Sequence, residues 1–210
     1  MSHSPAPHRA GFSPRVGVPD EGRVLVLYCH PQPHRSRVNR ALIRAIDGLD
    51  GVTVHDLYEA YPDHGIDVPH EQALLAAHHT IVLQHPFYWY STPPLLKEWL
   101  DVVLTWGWAY GVGGTALRGK RMLQAISTGG GEAAYAVGGS HRFTILELLA
   151  PMVQTAHLCG IEYLPPFVVH GTHRLEDAAI ASAAADYRRR IELLREAAGA
   201  ARPTAGHGGA

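Results

Sequence analysis

The strongest constraint on the fold is a seven-residue run near the start of the chain. Residues 23–29 (RVLVLYC) are apolar almost throughout and do not alternate with polar residues. Such a run is typical of a central parallel strand that is buried on both faces. Four more candidate strands follow, over 52–57, 80–84, 121–127 and 162–170, with a helical pattern between each pair. This alternation predicts an α/β domain with a parallel sheet, right-handed crossovers and helices on both faces.

The helical patterns begin at recognisable start signals. Ser36 is the natural N-cap of a first helix over 38–49, and Pro94 suits the first turn of a helix whose apolar residues share one face. The other helices are predicted over 69–78, 141–159 and 177–196. The 141–159 segment is predicted to be mostly helical from the spacing of its apolar residues Phe143, Leu146, Leu149, Val153 and Leu158. Pro165-Pro166 interrupts the last strand and indicates a sheet edge.

Composition limits the class of protein. A 210-residue chain with 46% hydrophobic residues can bury one sizeable core, so we expect a single domain over 23–198. A disordered extension is predicted over 1–22 and a flexible tail over 199–210. The net charge of −1 argues against a nucleic-acid partner. The fifteen histidines are scattered without an HExxH motif, so no metal site is predicted.

The same data bear on location. The two cysteines, Cys29 and Cys159, are too few for a disulfide framework, and no apolar run approaches the length of a membrane span. We therefore expect a reduced, cytoplasmic compartment.

Two of the connecting loops offer polar groups at the edge where strands of a parallel sheet end. The first loop, 30–39, leads into a helix N-terminus, where backbone N–H groups and the helix dipole favour a phosphate. Ser36 and Asn39 can add donors there, although Ser36 could equally serve as a cap alone. The second, Ser127-Thr128-Gly129-Gly130-Gly131, offers hydroxyls and exposed backbone, although glycines there could simply form a turn. No GxGxxG or GxxxxGK[ST] motif follows the first strand.

A third loop supplies aromatic side chains. Residues 85–114 hold Phe87, Tyr88, Trp89 and Tyr90 in succession and later Trp106, Trp108 and Tyr110, in a chain with only 8% aromatics. An aromatic loop at the carboxyl end of a parallel strand suits a flat ligand. The alternative is that Trp89, Trp99 and Trp106 are ordinary core anchors. A phosphate site, a stacking surface and a glycine-lined polar edge together predict a flavin.

The sequence resembles the flavodoxin-like NAD(P)H:quinone oxidoreductases, and within them the ancillary proteins of glutathione-gated potassium efflux (KefF/KefG type). The resemblance covers about residues 24–190. It rests on HPQPHRSRVN from His30, LYEAYPD from Leu57, QHPFYWYSTPPLLKEWLD from Gln84, GWAYGVGGTALRGK from Gly107, STGGGEAAY from Ser127 and LPPF from Leu164. It implies a flavodoxin-like, doubly wound five-stranded sheet of order 2-1-3-4-5 and a homodimer with the flavin at the dimer edge.

The resemblance also implies roles for individual residues. It places contacts to FMN or FAD at His30, Ser36, Arg37, Val38, Asn39, Phe87, Tyr88, Trp89, Tyr90, Ser127, Thr128, Gly129 and Gly130. Tyr135 and His141 match the pair that assists hydride transfer from NAD(P)H, although His141 could instead be a surface residue at a helix start. Trp106, Trp108 and Tyr110 are candidates to line the substrate side or the dimer edge.

Three functions remain open at this stage. The first is two-electron transfer from NAD(P)H through the flavin to a quinone. The second is regulation of a membrane potassium/proton antiporter, which could coexist with the first. The third is a one-electron shuttle, which the charge of −1 disfavours because such carriers dock their redox partners through a strong acidic field.

Overall fold

A computed structural model describes residues 22–200, with side chains through Glu196. Its strands are β1 (Val24–Tyr28), β2 (Val52–Asp56), β3 (Thr80–Pro86), β4 (Arg121–Ser127), β5 (Glu162–Tyr163) and β6 (Phe167–Val169). Its helices are α1 (Arg37–Ile46), α2 (Leu57–Ala60), α3 (Val68–Ala77), α4 (Pro94–Val103), α5 (Ile145–Leu148), α6 (Ala150–Leu158) and α7 (Asp177–Ala200). The predicted extension over 1–22 and tail over 199–210 lie outside the described residues, apart from residues 22, 199 and 200.

The sheet is parallel and has the order β2-β1-β3-β4-β5, with β6 paired to β4 beyond the interruption. Val24 is in register with Val52 on one side and with Thr80 on the other. All five residues of β1 are buried, as a strand between two neighbours and two helical layers requires. The predicted fold class and strand order are confirmed.

The two faces of the sheet carry separate cores. Leu25 and Leu27 of β1 face the core that α3, α4 and α6 cover, while Val24 and Val26 face the core covered by α1 and α7. Successive strand residues point to opposite faces, so a single apolar run serves both layers. Trp99 of α4 is almost fully buried and is a core anchor, which was one of the two interpretations of this residue.

Two predicted elements differ from the structure. No helix was predicted between the second strand and residue 69, but Asp56 accepts hydrogen bonds from the N–H groups of Tyr58 and Glu59 and caps the short helix α2. The single helix predicted over 141–159 is divided at Leu149 into α5 and α6. Of the apolar residues that indicated this helix, only Leu149 is buried, while Phe143, Leu146, Val153 and Leu158 are exposed. Pro151 in the first turn of α6 lacks the N–H that a continuous helix needs there.

Candidate functional site

The three loops chosen from the sequence meet at the carboxyl ends of β1, β3 and β4. They surround a cleft of about 770 Å³, which we call the rim cleft. Open α/β sheets bind ligands at this edge, and the volume lies in the usual range for small-molecule sites. The rim cleft is lined by His30, Gln32, Arg35, Ser36, Arg37, Val38, Pro86, Phe87, Tyr88, Trp89, Ser127, Gly129, Thr172 and His173.

The first loop presents the start of α1 to the rim cleft. The Ser36 hydroxyl accepts the N–H of Asn39 at 3.0 Å, so the capping role is confirmed. The N–H groups of Arg37 and Val38 precede the first intrahelical bonds and have no acceptor within the helix. The Val38 side chain is buried in the core, so it could offer a ligand only its backbone. The Arg37 guanidinium is held away by α7, with Asp177 at 2.6 Å and the Leu175 carbonyl at 3.0 Å.

Asn39 joins the first loop to the second, the loop that begins at Ser127. Its side-chain amide donates to the Ser127 hydroxyl at 2.8 Å, and its backbone carbonyl accepts a bond from the Gln84 side chain at 3.1 Å. Asn39 is almost fully buried and does not line the rim cleft. Its effect on a ligand is therefore to position the loops rather than to touch the ligand.

His30 is the first residue of the first loop, and a hydrogen bond within that loop holds its ring in place. Its Nδ1 accepts the N–H of Gln32 at 3.0 Å, which leaves the ring proton on Nε2 when the ring is neutral. Burial lowers the pKa of His30, so the neutral form is favoured near pH 7. The edge of its ring meets Tyr88 at a centroid distance of 6.2 Å.

The aromatic loop begins with a tight turn over residues 88–91, whose two central residues are Trp89 and Tyr90. Tyr88 and Ser91 exchange both backbone hydrogen bonds, at 3.1 and 2.9 Å. Trp89 and Tyr90 occupy the centre with φ of 48° and 64°, a region that glycine and asparagine occupy far more readily. Each such residue costs on the order of 1–3 kcal/mol, and this kind of strain concentrates at functional sites. Trp89 is 92% exposed, so its ring is available to a ligand rather than packed in the core.

The glycine loop, residues 127–131, is packed tightly beside the rim cleft. A Cβ on Gly129 would lie 3.1 Å from His173 Nε2, and a Cβ on Gly130 would lie 2.9 Å from His141 Nε2. Thr128 is almost fully buried, and its hydroxyl donates to the Gly130 carbonyl at 2.8 Å. Gly129 lines the rim cleft, whereas Thr128 and Gly130 shape the loop behind it.

Tyr135 and His141 lie together beside this loop. Their rings stack with centroids 4.4 Å apart, and the His141 Nδ1 is 3.4 Å from the Tyr90 hydroxyl. Tyr135 also packs against Phe87 at 6.5 Å, which connects the pair to the aromatic loop. Burial raises the pKa of Tyr135, so its phenol keeps its proton at neutral pH. Tyr135 and His141 border the rim cleft but do not line it.

The later aromatics do not reach the rim cleft in this chain. Trp106 is 66% exposed, and Trp108 packs partly against the core formed with α4. Tyr110 lines a second cleft of about 410 Å³, the side cleft, together with Tyr90, Leu100, Leu148, Leu149 and Leu158. Phe87 lines both clefts, so the aromatic loop separates them.

The sequence interpretation missed a fourth loop, which follows β6. Its backbone is bonded to the glycine loop, with Thr172 N–H donating to the Thr128 carbonyl at 3.0 Å. Thr172 and His173 line the rim cleft, and His170 Nδ1 lies 3.1 Å from the Thr128 hydroxyl. The HGTH string at 170–173 follows the last strand, and the carboxyl edge shared by all parallel strands was the signal that could have identified it.

The comparisons with known proteins agree with this architecture. A family model described as the flavodoxin-like fold matches residues 22–191, so the chain belongs to the flavodoxin-like family. The particular relatives are ancillary proteins KefF of glutathione-regulated potassium-efflux systems. The KefF of Salmonella schwarzengrund is 46% identical over 173 residues, which cover 82% of this chain and 97% of the relative.

Solved structures with the same fold carry several names. The general stress protein 14 of Treponema denticola, in complex with FMN, is 39% identical with a TM-score of 0.77 and covers 82% of this chain and 99% of that chain. An NADPH-quinone reductase from P. pentosaceus is 34% identical with a TM-score of 0.74, covering 80% and 97%. A protein named a thermophilic tryptophan halogenase, from Streptomycin violaceusniger, is 48% identical with a TM-score of 0.78, covering 80% and 97%.

Proposed function

We propose that this protein is a flavin-dependent NAD(P)H:quinone oxidoreductase that binds FMN in the rim cleft. The observation that carries the proposal is the convergence of a helix N-terminus, a strained aromatic turn and a glycine loop on one cleft of about 770 Å³. The FMN complex of one relative and the quinone-reductase name of another support the choice of cofactor and reaction. A third relative is named a halogenase, but our proposal does not include halogenation.

The residues present fit FMN. The N–H groups of Arg37 and Val38 at the start of α1 suit a phosphate, which helix N-termini bind readily. The exposed Trp89 ring and the Phe87 and Tyr88 rings suit a planar ring system. Gly129 permits close approach of its backbone to a ligand edge, and a Cβ there would lie within 3.1 Å of the His173 ring.

With FMN bound, separate residues of the chain would have separate roles. FMN, when bound, supplies the two-electron redox chemistry. The start of α1 would hold its phosphate, and the rings of the turn 88–91 would lie beside its ring system. Tyr135, which keeps its proton, can donate a hydrogen bond to a developing negative charge, and the imidazole of His141, stacked on Tyr135, can add a second hydrogen bond.

The test is reconstitution of the full-length protein with FMN, followed by NADPH and a benzoquinone. We expect NADPH oxidation that requires protein, FMN and quinone together. Tyr135→Phe and His141→Ala should lower kcat, while His64→Ala, at an exposed histidine that lines neither cleft, serves as the control. Oxidation no faster than that of free FMN would overturn the proposal.

A second candidate function is regulation of a potassium/proton antiporter. The observation that favours it is the 46% identity to KefF proteins, whose name describes an ancillary protein of a potassium-efflux system. None of the helices in the described part of the chain is long and apolar enough to cross a membrane, so such a role would need docking on a membrane partner at its cytoplasmic face. Co-purification with the antiporter and loss of efflux on deletion would support it. A purely regulatory protein would keep efflux in the Tyr135→Phe and His141→Ala variants.

We also propose that the protein forms a homodimer through the face carrying α5 and α6. Phe143, Leu146, Val153 and Leu158 are all exposed there, beside the mainly apolar side cleft. Monomers rarely leave such a group of apolar side chains in water, so a partner surface is expected to cover it. Tyr90 of the strained turn lines the same side cleft, which would bring the dimer edge next to the flavin site.

A further inference from the structure

A cluster of two histidines and a glutamate lies outside the rim cleft. His55 is on the edge strand β2, and His70 and Glu71 are consecutive in the early part of α3. The possible ligand atoms of these three side chains all lie within 4.8 Å of one another. None of the three lines the rim cleft or the side cleft.

Glu71 is the fixed member of the cluster. Its side chain is fully buried, and it receives three hydrogen bonds: His55 Nε2 at 2.7 Å and the Tyr61 hydroxyl at 2.5 Å on Oε1, and Trp99 Nε1 at 2.8 Å on Oε2. These three bonds hold the carboxylate in one orientation, as a metal ligand needs to be.

The two histidines open the cluster to solvent. The His55 side chain is only 16% exposed, whereas His70 is exposed. Their rings meet edge to face with centroids 5.9 Å apart. An ion could therefore enter from the His70 side while His55 and Glu71 stay anchored in the fold.

We propose that His55, His70 and Glu71 form a binding site for a divalent transition-metal ion of the zinc class. Two imidazole nitrogens and one carboxylate oxygen are a common set of three protein ligands for zinc, with water completing the coordination. Ligand atoms about 2.0–2.2 Å from the ion in a tetrahedral site lie roughly 3.3 Å apart. The ion would replace the proton that His55 Nε2 shares with Glu71, and this proton would be released to solvent. The 2.7 Å contact between His55 and Glu71 would open slightly, and the exposed His70 ring would move inward. Tyr61 and Trp99 would keep their bonds to Glu71 and orient it from behind.

The ligands of this site form no sequence motif, so the sequence alone predicted no metal site here. His55 and His70 are fifteen positions apart and belong to different elements, and only the packing of α3 beside β2 brings them together. The bound ion would join an edge strand to a helix of the neighbouring layer. A gain in thermal stability is therefore the expected physical consequence.

The test is zinc binding by the full-length, tag-free protein, measured by competition with a chromophoric chelator. His70→Ala is the informative variant, since an exposed side chain can be removed without harm to the core. His64→Ala is the matched control, because His64 is also an exposed histidine next to a carboxylate, 2.7 Å from Glu98. Every other histidine, including those in the terminal segments, is the same in all three proteins.

We expect a zinc site in the wild type and in His64→Ala that is weakened about tenfold or more in His70→Ala. Zinc should raise the melting temperature of the first two proteins and not of the third. Superimposable zinc isotherms for all three proteins would overturn the proposal, as would a wild type with no site tighter than that of His70→Ala. Neither result depends on flavin binding or on reductase activity.

Discussion

His85 is a fully buried histidine near the end of β3, directly before the aromatic loop. Its Nδ1 donates to the Pro86 carbonyl at 2.9 Å, and its Nε2 accepts from the Gln124 side chain at 3.1 Å. The Tyr163 hydroxyl donates to the same Gln124 side chain at 2.7 Å, which fixes the direction of the whole chain of bonds. Protonation of Nε2 would turn an acceptor into a donor that faces the Gln124 amide, so the network accommodates only the neutral ring.

This arrangement predicts an acid-sensitive contribution to stability. Burial lowers the pKa of His85 to about 4, from 6.5 for an unperturbed histidine. The unfolded chain therefore binds a proton at a higher pH than the folded one, and stability falls as the pH drops from 6.5 towards 4. Between pH 7 and pH 4.5 the loss from this group is about 2 kcal/mol. His85→Gln should remove that part of the pH dependence in urea unfolding at the two pH values, and parallel pH profiles for the two proteins would contradict it.

The strained turn at Trp89 and Tyr90 predicts that a substitution relieving the strain will stabilise the protein but weaken FMN binding. Asparagine tolerates positive φ better than tryptophan, and Trp89 is 92% exposed, so Trp89→Asn should stabilise the protein without FMN by about 1 kcal/mol. The same change should weaken FMN binding if the ring stacks on the cofactor. Val137→Asn is the control, since Val137 is 95% exposed and has no positive φ. Unfolding curves and FMN titration test both parts, and a Trp89→Asn variant that is less stable than wild type would contradict the strain argument.

At the scale of elements, sequence periodicity correctly predicted a strand that is buried on both faces of the sheet. It did not show that the apolar residues of one helix lie at the surface. Residues 121–127 were predicted as a strand with the same bounds as β4, because a strand covered on both faces must be apolar. The helix predicted over 141–159 showed an equally clear apolar pattern, but its face lies at the surface. Periodicity shows that a face is apolar and cannot tell a protein core from an interface with another chain.

That exposed face gives a prediction about assembly. Leu146, 64% exposed on α5, lies on the proposed dimer face, while Leu193, 53% exposed on α7, lies on the opposite side of the sheet. Leu146→Asp should convert the dimer to a monomer in light scattering coupled to size-exclusion chromatography, because a charge would be buried at the interface. Leu193→Asp should leave the dimer intact. A monomeric wild type, or equal dissociation of both variants, would contradict the proposed interface.

At the scale of the whole molecule, the sequence was enough to predict that loops from separate strands share one rim, because that follows from parallel topology. It could not predict which side chains would face the cleft. Arg37 is drawn away by Asp177 of α7, 140 positions along the chain, and Asn39 is used to hold Ser127. His173 reaches the glycine loop from the loop after β6, 44 positions along the chain from Gly129. Each of these contacts depends on tertiary packing between distant segments, which no local pattern records.

Because the rim cleft is lined by loops from β1, β3, β4 and β6, a ligand there should stabilise the entire domain. FMN at about 100 times its Kd stabilises the folded state by about 2.7 kcal/mol. For a domain of this size that raises Tm by roughly 5–10 °C. Riboflavin, which lacks the phosphate, should give a smaller shift at equal concentration, because it leaves the start of α1 without its anion.

Two substitutions of Arg37 distinguish the contribution of its backbone N–H to phosphate binding from that of its guanidinium charge. Arg37→Pro removes both the N–H and the guanidinium at the first position of α1, where proline is well tolerated after the extended Ser36. Arg37→Ala removes only the guanidinium, which already points to Asp177. We expect the excess of the FMN shift over the riboflavin shift to persist in Arg37→Ala and to shrink in Arg37→Pro, measured by differential scanning calorimetry. Equal shifts for FMN and riboflavin in the wild type would mean that the start of α1 does not hold the phosphate.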